Sequence, residues 1–216
     1  MRIVAVLFSL VLPLLACAQE KQQPAYEEGT HYSIISGQPK PAKTGDITVT
    51  EVFWYGCGHC YQFESLINGW KKKLADDVAF NRSPAMWRQR RNPADAMWTH
   101  AKLYYTADAM GVLDKLHPVF FDAMHKQNKR LVDDSEIVTL VGMHGVDGEL
   151  FVKTMNSFAV NSQVTQADAR QKTYKVTGTP EMVVADYYHV SATKSGSQEE
   201  MLKVVDFLVE KIRSER

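Results

Sequence analysis

Cys57 and Cys60 are two of only three cysteines in a chain of 216 residues, and their Cys-x-x-Cys spacing is the sequence feature with the most obvious chemistry. A cysteine that opens a helix lies beside unpaired backbone N–H groups and the positive end of the helix dipole. Its thiolate is stabilised and its pKa falls. The second cysteine, one turn into the helix, should be more buried. Cys57 is therefore expected to enter and leave mixed disulfides, with Cys60 as the resolving thiol that attacks to release it. His59, between them, can add a positive charge or a donor to the Cys57 thiolate. A stable thiolate is also a good leaving group, so the disulfide form of such a pair becomes an oxidant. Two other uses of the pair stay open from its spacing alone, half of a structural zinc site and a plain structural disulfide. Zinc normally takes four ligands, and the chain has no second cysteine pair. His100, His117, His125 and His144 are scattered and read as surface or ordinary core histidines.

The elements around the pair support the helix-start position. Ile47 to Tyr55 is rich in β-branched and aromatic residues and reads as a buried strand, which Gly56 breaks. From Cys57 the apolar residues fall at helical spacing through Phe63, Leu66, Ile67, Trp70 and Leu74, and Val78 to Arg82 reads as a second strand ended by Pro84. Residues 93–161 carry helical periodicity in four short segments. The third opens with Asp133 and Glu136 at capping-box spacing and the fourth near Asp147. A helix from about Ser162 to Tyr174, an interruption at Val176 to Pro180, a hairpin over 182–185 and 187–190, and a helix capped by Ser197 and Glu200 complete the chain. Without the helical block, the order is that of a small α/β layer fold, so the block reads as an insertion. The expected organisation is a core of residues 26–92 and 162–216, with 93–161 as an inserted helical subdomain. Met86, Trp87, Met97 and Trp98 should be mostly core, with some free to line an apolar groove. Lys71 to Lys73 and the Arg88 to Arg91 cluster read as solvated faces.

Composition excludes other classes. With 45% hydrophobic and 23% charged residues the chain is a folded globular protein. Its 25 basic residues balance 25 acidic ones, so there is no cationic field for nucleic acid. Arg2 followed by an apolar run from Ile3 to Ala16 reads as a secretory signal. Two processing sites are open. Residues 1–18 are removed, which discards Cys17, or residues 1–16 are removed and Cys17 becomes the lipid-bearing first residue. Export places the protein where disulfides persist.

The segment Glu51-Val52-Phe53-Trp54-Tyr55-Gly56-Cys57-Gly58-His59-Cys60-Tyr61-Gln62-Phe63-Glu64 resembles the active-site segment of the DsbA family, exported bacterial thiol oxidases of thioredoxin fold. The inserted helical block, Thr179-Pro180 before a hairpin, and Glu28-Gly29 with Tyr32 are similar in order and spacing, so the resemblance covers about Tyr26 to Arg216. It implies an α/β thioredoxin fold with an inserted helical subdomain and a periplasmic disulfide oxidase. The implied enzyme uses no cofactor beyond its own disulfide and binds no metal. It acts as a monomer on reduced, unfolded exported proteins and is reoxidised by a DsbB-like quinone-linked membrane protein. DsbA proteins are themselves a standard example of a depressed cysteine pKa and a strong oxidant, so that expectation comes with the resemblance. The resemblance also implies that Pro180 is a cis-proline facing the disulfide and that Thr179 pairs with extended substrate through its backbone. Glu51 fits the family's buried acid, a proton acceptor for Cys60. Glu64 either tunes charge near Cys60 or is solvated. One position departs from the family. Gly58 stands where proline is common, and Cys-Gly-His-Cys is also the motif of eukaryotic protein disulfide isomerases, so a milder oxidant, an isomerase or a reductase is the alternative enzyme. A non-catalytic polypeptide-binding lipoprotein is the alternative outside enzymes.

Overall fold

The computed structural model describes residues 26–87 and 96–216. Cys17, the signal segment and the Arg88 to Arg91 cluster lie outside the described residues. A five-stranded sheet runs in the order β1 (Ser33–Ile34), β5 (Tyr188–Ser191), β4 (Glu181–Val184), β2 (Ile47–Phe53), β3 (Val78–Pro84). β2 and β3 are parallel, and the other neighbours are antiparallel. The central β2 is buried along nearly its whole length, as its β-branched run requires. Its two-residue alternation sends Ile47, Val49, Glu51 and Phe53 to one face. On that face Ile47 and Val49 pack with Phe63 and Ile67 of α1 (Gly58–Lys71), while Val52 on the other face packs with Val176 and Val183. Glu51 is thus delivered, by strand period alone, to the face covered by the helix that carries Cys60.

Between β3 and the returning sheet lie α2 (Ala96–Ala109), α3 (Leu113–Lys126), α4 (Asp134–Met143) and α5 (Gly148–Met155). Their core of Leu103, Leu116, Phe120, Leu140 and Phe151 is continuous with Phe53, Tyr55 and Cys60, so the helical block packs directly onto the cysteine corner. α6 (Phe158–Tyr174) leads back to β4, and α8 (Gln198–Ser214) lays Leu202, Val205 and Leu208 against the sheet after the one-turn α7 (Ala192–Ser195).

Several boundaries differ from the sequence reading. β2 ends at Phe53, because Trp54 starts a turn closed by the Cys57 N–H on the Trp54 carbonyl at 3.0 Å. β3 continues to Pro84, since an edge strand tolerates the missing donor. α6 begins at Phe158, four residues before the expected start, because the Ser157 hydroxyl accepts from the Val160 N–H and caps it there. The expected division at 161/162 therefore falls inside a continuous helix. Asp133 does not form a capping box. Glu136 instead accepts from the Leu131 N–H at 2.8 Å. Of the four expected core residues, Met86 is buried, Met97 and Trp98 are half-buried and Trp87 is exposed.

Candidate active site

Cys57 is the N-cap of α1 and is half-buried, while Cys60 is fully enclosed. The cysteines are unbonded, so the geometry is that of the dithiol. The Cys57 pKa is lowered to about 5. The Cys60 thiol contributes most as a hydrogen-bond donor, against an opposing effect of burial, followed by the Thr179 side chain and the backbone N–H groups of Cys60 and His59. Cys60 moves the other way, pushed up first by burial and then by the neighbouring Cys57. The two thiols thus differ in both access and acidity, in the sense their positions on the helix predict.

The His59 side chain is exposed, its main-chain N–H is among the donors that favour the Cys57 thiolate, and its carbonyl accepts from Gln198 Nε2 at 2.8 Å. Across the site the Thr179–Pro180 peptide bond is cis, and the Cys57 thiol donates to the Thr179 carbonyl at 3.3 Å.

Behind the cysteines, Glu51 is completely buried. Parallel register sets Arg82 of β3 directly beside Glu51 of β2. The guanidinium uses one edge to bridge two carboxylates, Nε to Glu51 at 2.7 Å and a terminal nitrogen to Glu64 at 2.9 Å. Burial raises the Glu51 pKa to about 7 in spite of Arg82. The other Glu51 oxygen, Oε1, is buried without a hydrogen-bond partner. Glu64 is held below the usual carboxylate range. Burial opposes its ionisation, but the His117 hydrogen bond and the nearby Arg82 charge overcome it. His117 faces Glu64 through Nε2 at 3.2 Å and the Tyr55 hydroxyl through Nδ1 at 2.8 Å. Arg82 and His117 were missed from the sequence. The available signal for Arg82 was a charge inside a short strand at the register position of Glu51. His117 had none, because α3 must fold over the site before it meets Glu64.

The turn before Cys57 is fixed by aromatic contacts. Trp54 Nε1 donates to His100 Nδ1 at 3.0 Å, and His125 Nε2 donates to the Tyr55 carbonyl at 2.8 Å while stacking on Tyr61. Trp98 lines a cleft of about 1070 Å³ with Met155 and Phe158, to which neither cysteine nor Pro180 contributes.

An accessible, acidic thiol at a helix start, backed by a buried partner thiol and faced by a cis-proline loop, defines a thiol:disulfide oxidoreductase. The fold around it is a thioredoxin fold with an inserted helical subdomain. Comparison with known proteins agrees at every level. The DSBA-like thioredoxin domain family matches residues 88–203. The thiol:disulfide interchange protein DsbA of Azotobacter vinelandii is 38% identical over 212 residues, 97% of this chain and 96% of its own length. That of Pseudomonas syringae pv. tomato is 41% identical over 188 residues, covering 87% and 85%. The crystal structure of Pseudomonas aeruginosa DsbA superposes with a TM-score of 0.79 at 39% identity, covering 88% of this chain and 95% of that one. The chain belongs to the DsbA family, and its activity is disulfide donation by thiol:disulfide interchange.

Proposed function

We propose that Cys57 is the sulfur that substrates attack and Cys60 the one that leaves. The observation that carries this reading is the contrast between a half-buried Cys57 with a pKa near 5 and an enclosed Cys60 whose thiol is pushed up. In the donating direction a substrate thiolate attacks Cys57 Sγ of the Cys57–Cys60 disulfide. One S–S bond forms, the Cys57–Cys60 bond breaks, and Cys60 departs as a thiolate that takes up a proton. The substrate's second thiolate then attacks its own sulfur in the mixed disulfide and expels Cys57 as a stable thiolate. Two electrons pass from the substrate dithiol to the enzyme. The balance reverses one expectation from the sequence. Attack by Cys60 on the mixed disulfide is the return step, so release of oxidised substrate depends on the substrate's own second thiol.

Glu51, with a pKa near 7, carries a proton for the departing Cys60 and accepts it again when the dithiol is reoxidised. Arg82 and Glu64 hold that carboxyl in place. Thr179 and Pro180 present backbone to an extended substrate segment beside Cys57. The redox carrier is the cysteine pair itself, without a further cofactor, and a single chain supplies every group named. The substrates are reduced exported proteins in the periplasm, and a DsbB-like quinone-linked membrane protein is the reoxidising partner. The signal-like N-terminus and the family support this placement. Cys17 is cut away or lipidated, which the intact mass of the mature protein distinguishes.

Cys57→Ala tests the reading. With purified protein and a reduced substrate, oxidation is expected to fall to the uncatalysed rate, and oxidation at the parent rate would refute it.

A further inference from the structure

Glu181 follows Pro180 directly and is 4% exposed, an unusual place for a carboxylate that takes no part in thiol exchange. Its backbone begins β4, opposite Val52 on one side and Ser191 on the other. Its side chain folds back four residues along the chain. Oε2 accepts from the Thr177 N–H at 3.3 Å and Oε1 accepts from the Thr177 hydroxyl at 3.3 Å. A Cβ added at Gly178 would meet Oε1 at 3.4 Å, so the loop backbone passes close over the carboxylate. The strand pair supplies an anchor from below. His189 of β5 lies opposite Val183, two residues along from Glu181 on the same face, and diagonal neighbours of this kind are within side-chain reach. His189 Nε2 donates to Glu181 Oε2 at 2.6 Å.

The carboxylate thus joins the two ends of the segment Thr177 to Pro180, and the imidazole fixes the carboxylate to the sheet. Thr179, in the middle of that segment, contributes two of the groups that meet the Cys57 sulfur. Its carbonyl accepts from Cys57, and its side chain is among the donors that favour the thiolate. We propose that Glu181, anchored by His189, is a positioning residue that holds the Thr177–Pro180 loop against Cys57 and so sets both the contact of Thr179 with that sulfur and the placement of the bound substrate segment.

The proposal rests on Cys57 being the attacked sulfur, and its test leaves Cys57 and Cys60 untouched. A parent protein that oxidises substrate while the variants behave as it does overturns the positioning role without touching the thiol chemistry. The test compares Glu181→Ala, His189→Ala and Glu181→Gln. Two readouts are taken, the midpoint of the thiolate absorbance titration of the reduced protein and the KM for a reduced extended peptide. Glutamine keeps an acceptor for the Thr177 N–H and His189, and its amide can donate to the Thr177 hydroxyl, so it serves as the conservative rescue. Losing one hydrogen bond to a charged group corresponds to roughly one pH unit. Both alanine variants are expected to raise the midpoint by about that much and to increase KM severalfold, with Glu181→Gln close to the parent in both. Should Glu181→Ala not fold, His189→Ala and Glu181→Gln carry the same comparison. Alanine variants with the parent midpoint and KM would overturn the proposal, as would a Glu181→Gln variant as impaired as the alanine variants.

Discussion

At the residue scale the site works by dividing two identical thiols. Cys57 receives donors from Cys60, Thr179 and the helix start, while Cys60 is enclosed among apolar side chains. The same division applies to two carboxylates one guanidinium apart. Glu64, with His117 and Arg82, stays ionised, and Glu51, deeper and with one unsatisfied oxygen, is biased toward its neutral form. That bias has a consequence for stability. An acid whose folded pKa lies above its unfolded value is bound to a proton in the fold over a pH range where the unfolded chain has lost it, so stability falls as pH rises from about 4.5 to about 7. Glu51→Gln removes this loss and leaves Arg82 paired with Glu64. Denaturant unfolding of the variant should show a gain of about 3 kcal/mol at pH 8 that disappears near pH 4.5. Destabilisation at pH 8 would mean that the Arg82 pair outweighs burial.

At the element scale, the strand-to-helix corner decides where the sulfurs point. Trp54 closes the turn with its carbonyl, and its ring covers Gly56, where an added Cβ would run into the indole. Gly56→Ala should therefore displace Trp54 from His100 and lower stability by about 1–3 kcal/mol, with a changed tryptophan fluorescence. An unchanged spectrum and stability would show that the indole has room to move. This corner was legible in the sequence because everything that defines it is local: a β-branched run, a glycine, and apolar residues at helical spacing. Asp147 and Ser197 caps were legible for the same reason, each side chain accepting an N–H three residues on. Less local features were harder to read. Asp133 and Glu136 have capping-box spacing, but Glu136 is drawn to Leu131, and α6 extends to Ser157 through a cap hidden in a polar stretch. The partners of Glu51 and Glu64 come from β3 and α3, at sequence separations of 31 and 53 residues, which only the folded register brings together.

At the scale of the whole molecule, the helical subdomain and the sheet share a core at Cys60, so the redox state of the pair and global stability are coupled. The Cys57 pKa is depressed on folding. The stabilisation it contributes to the dithiol form is complete above the unfolded value near 9 and is lost as pH falls through about 5. Between pH 5 and 8 the Cys60 thiol is protonated in both states and contributes no slope. The thermal midpoint of the reduced protein should exceed that of the oxidised protein at pH 7, with the gap closing as pH approaches 5. A gap that does not vary with pH would place the coupling elsewhere.

The central claim is that a stabilised Cys57 thiolate makes the disulfide an oxidant. Between an ordinary thiol and one with a pKa near 5, about two pH units of stabilisation are available at pH 7, and each is worth roughly 1.4 kcal/mol or about 30 mV. The most direct measurement is the equilibrium of the purified protein with reduced and oxidised glutathione. A potential at least about 60 mV above that of reducing thioredoxins, which lies near −270 mV, is the predicted result, and a potential at or below about −270 mV would contradict it.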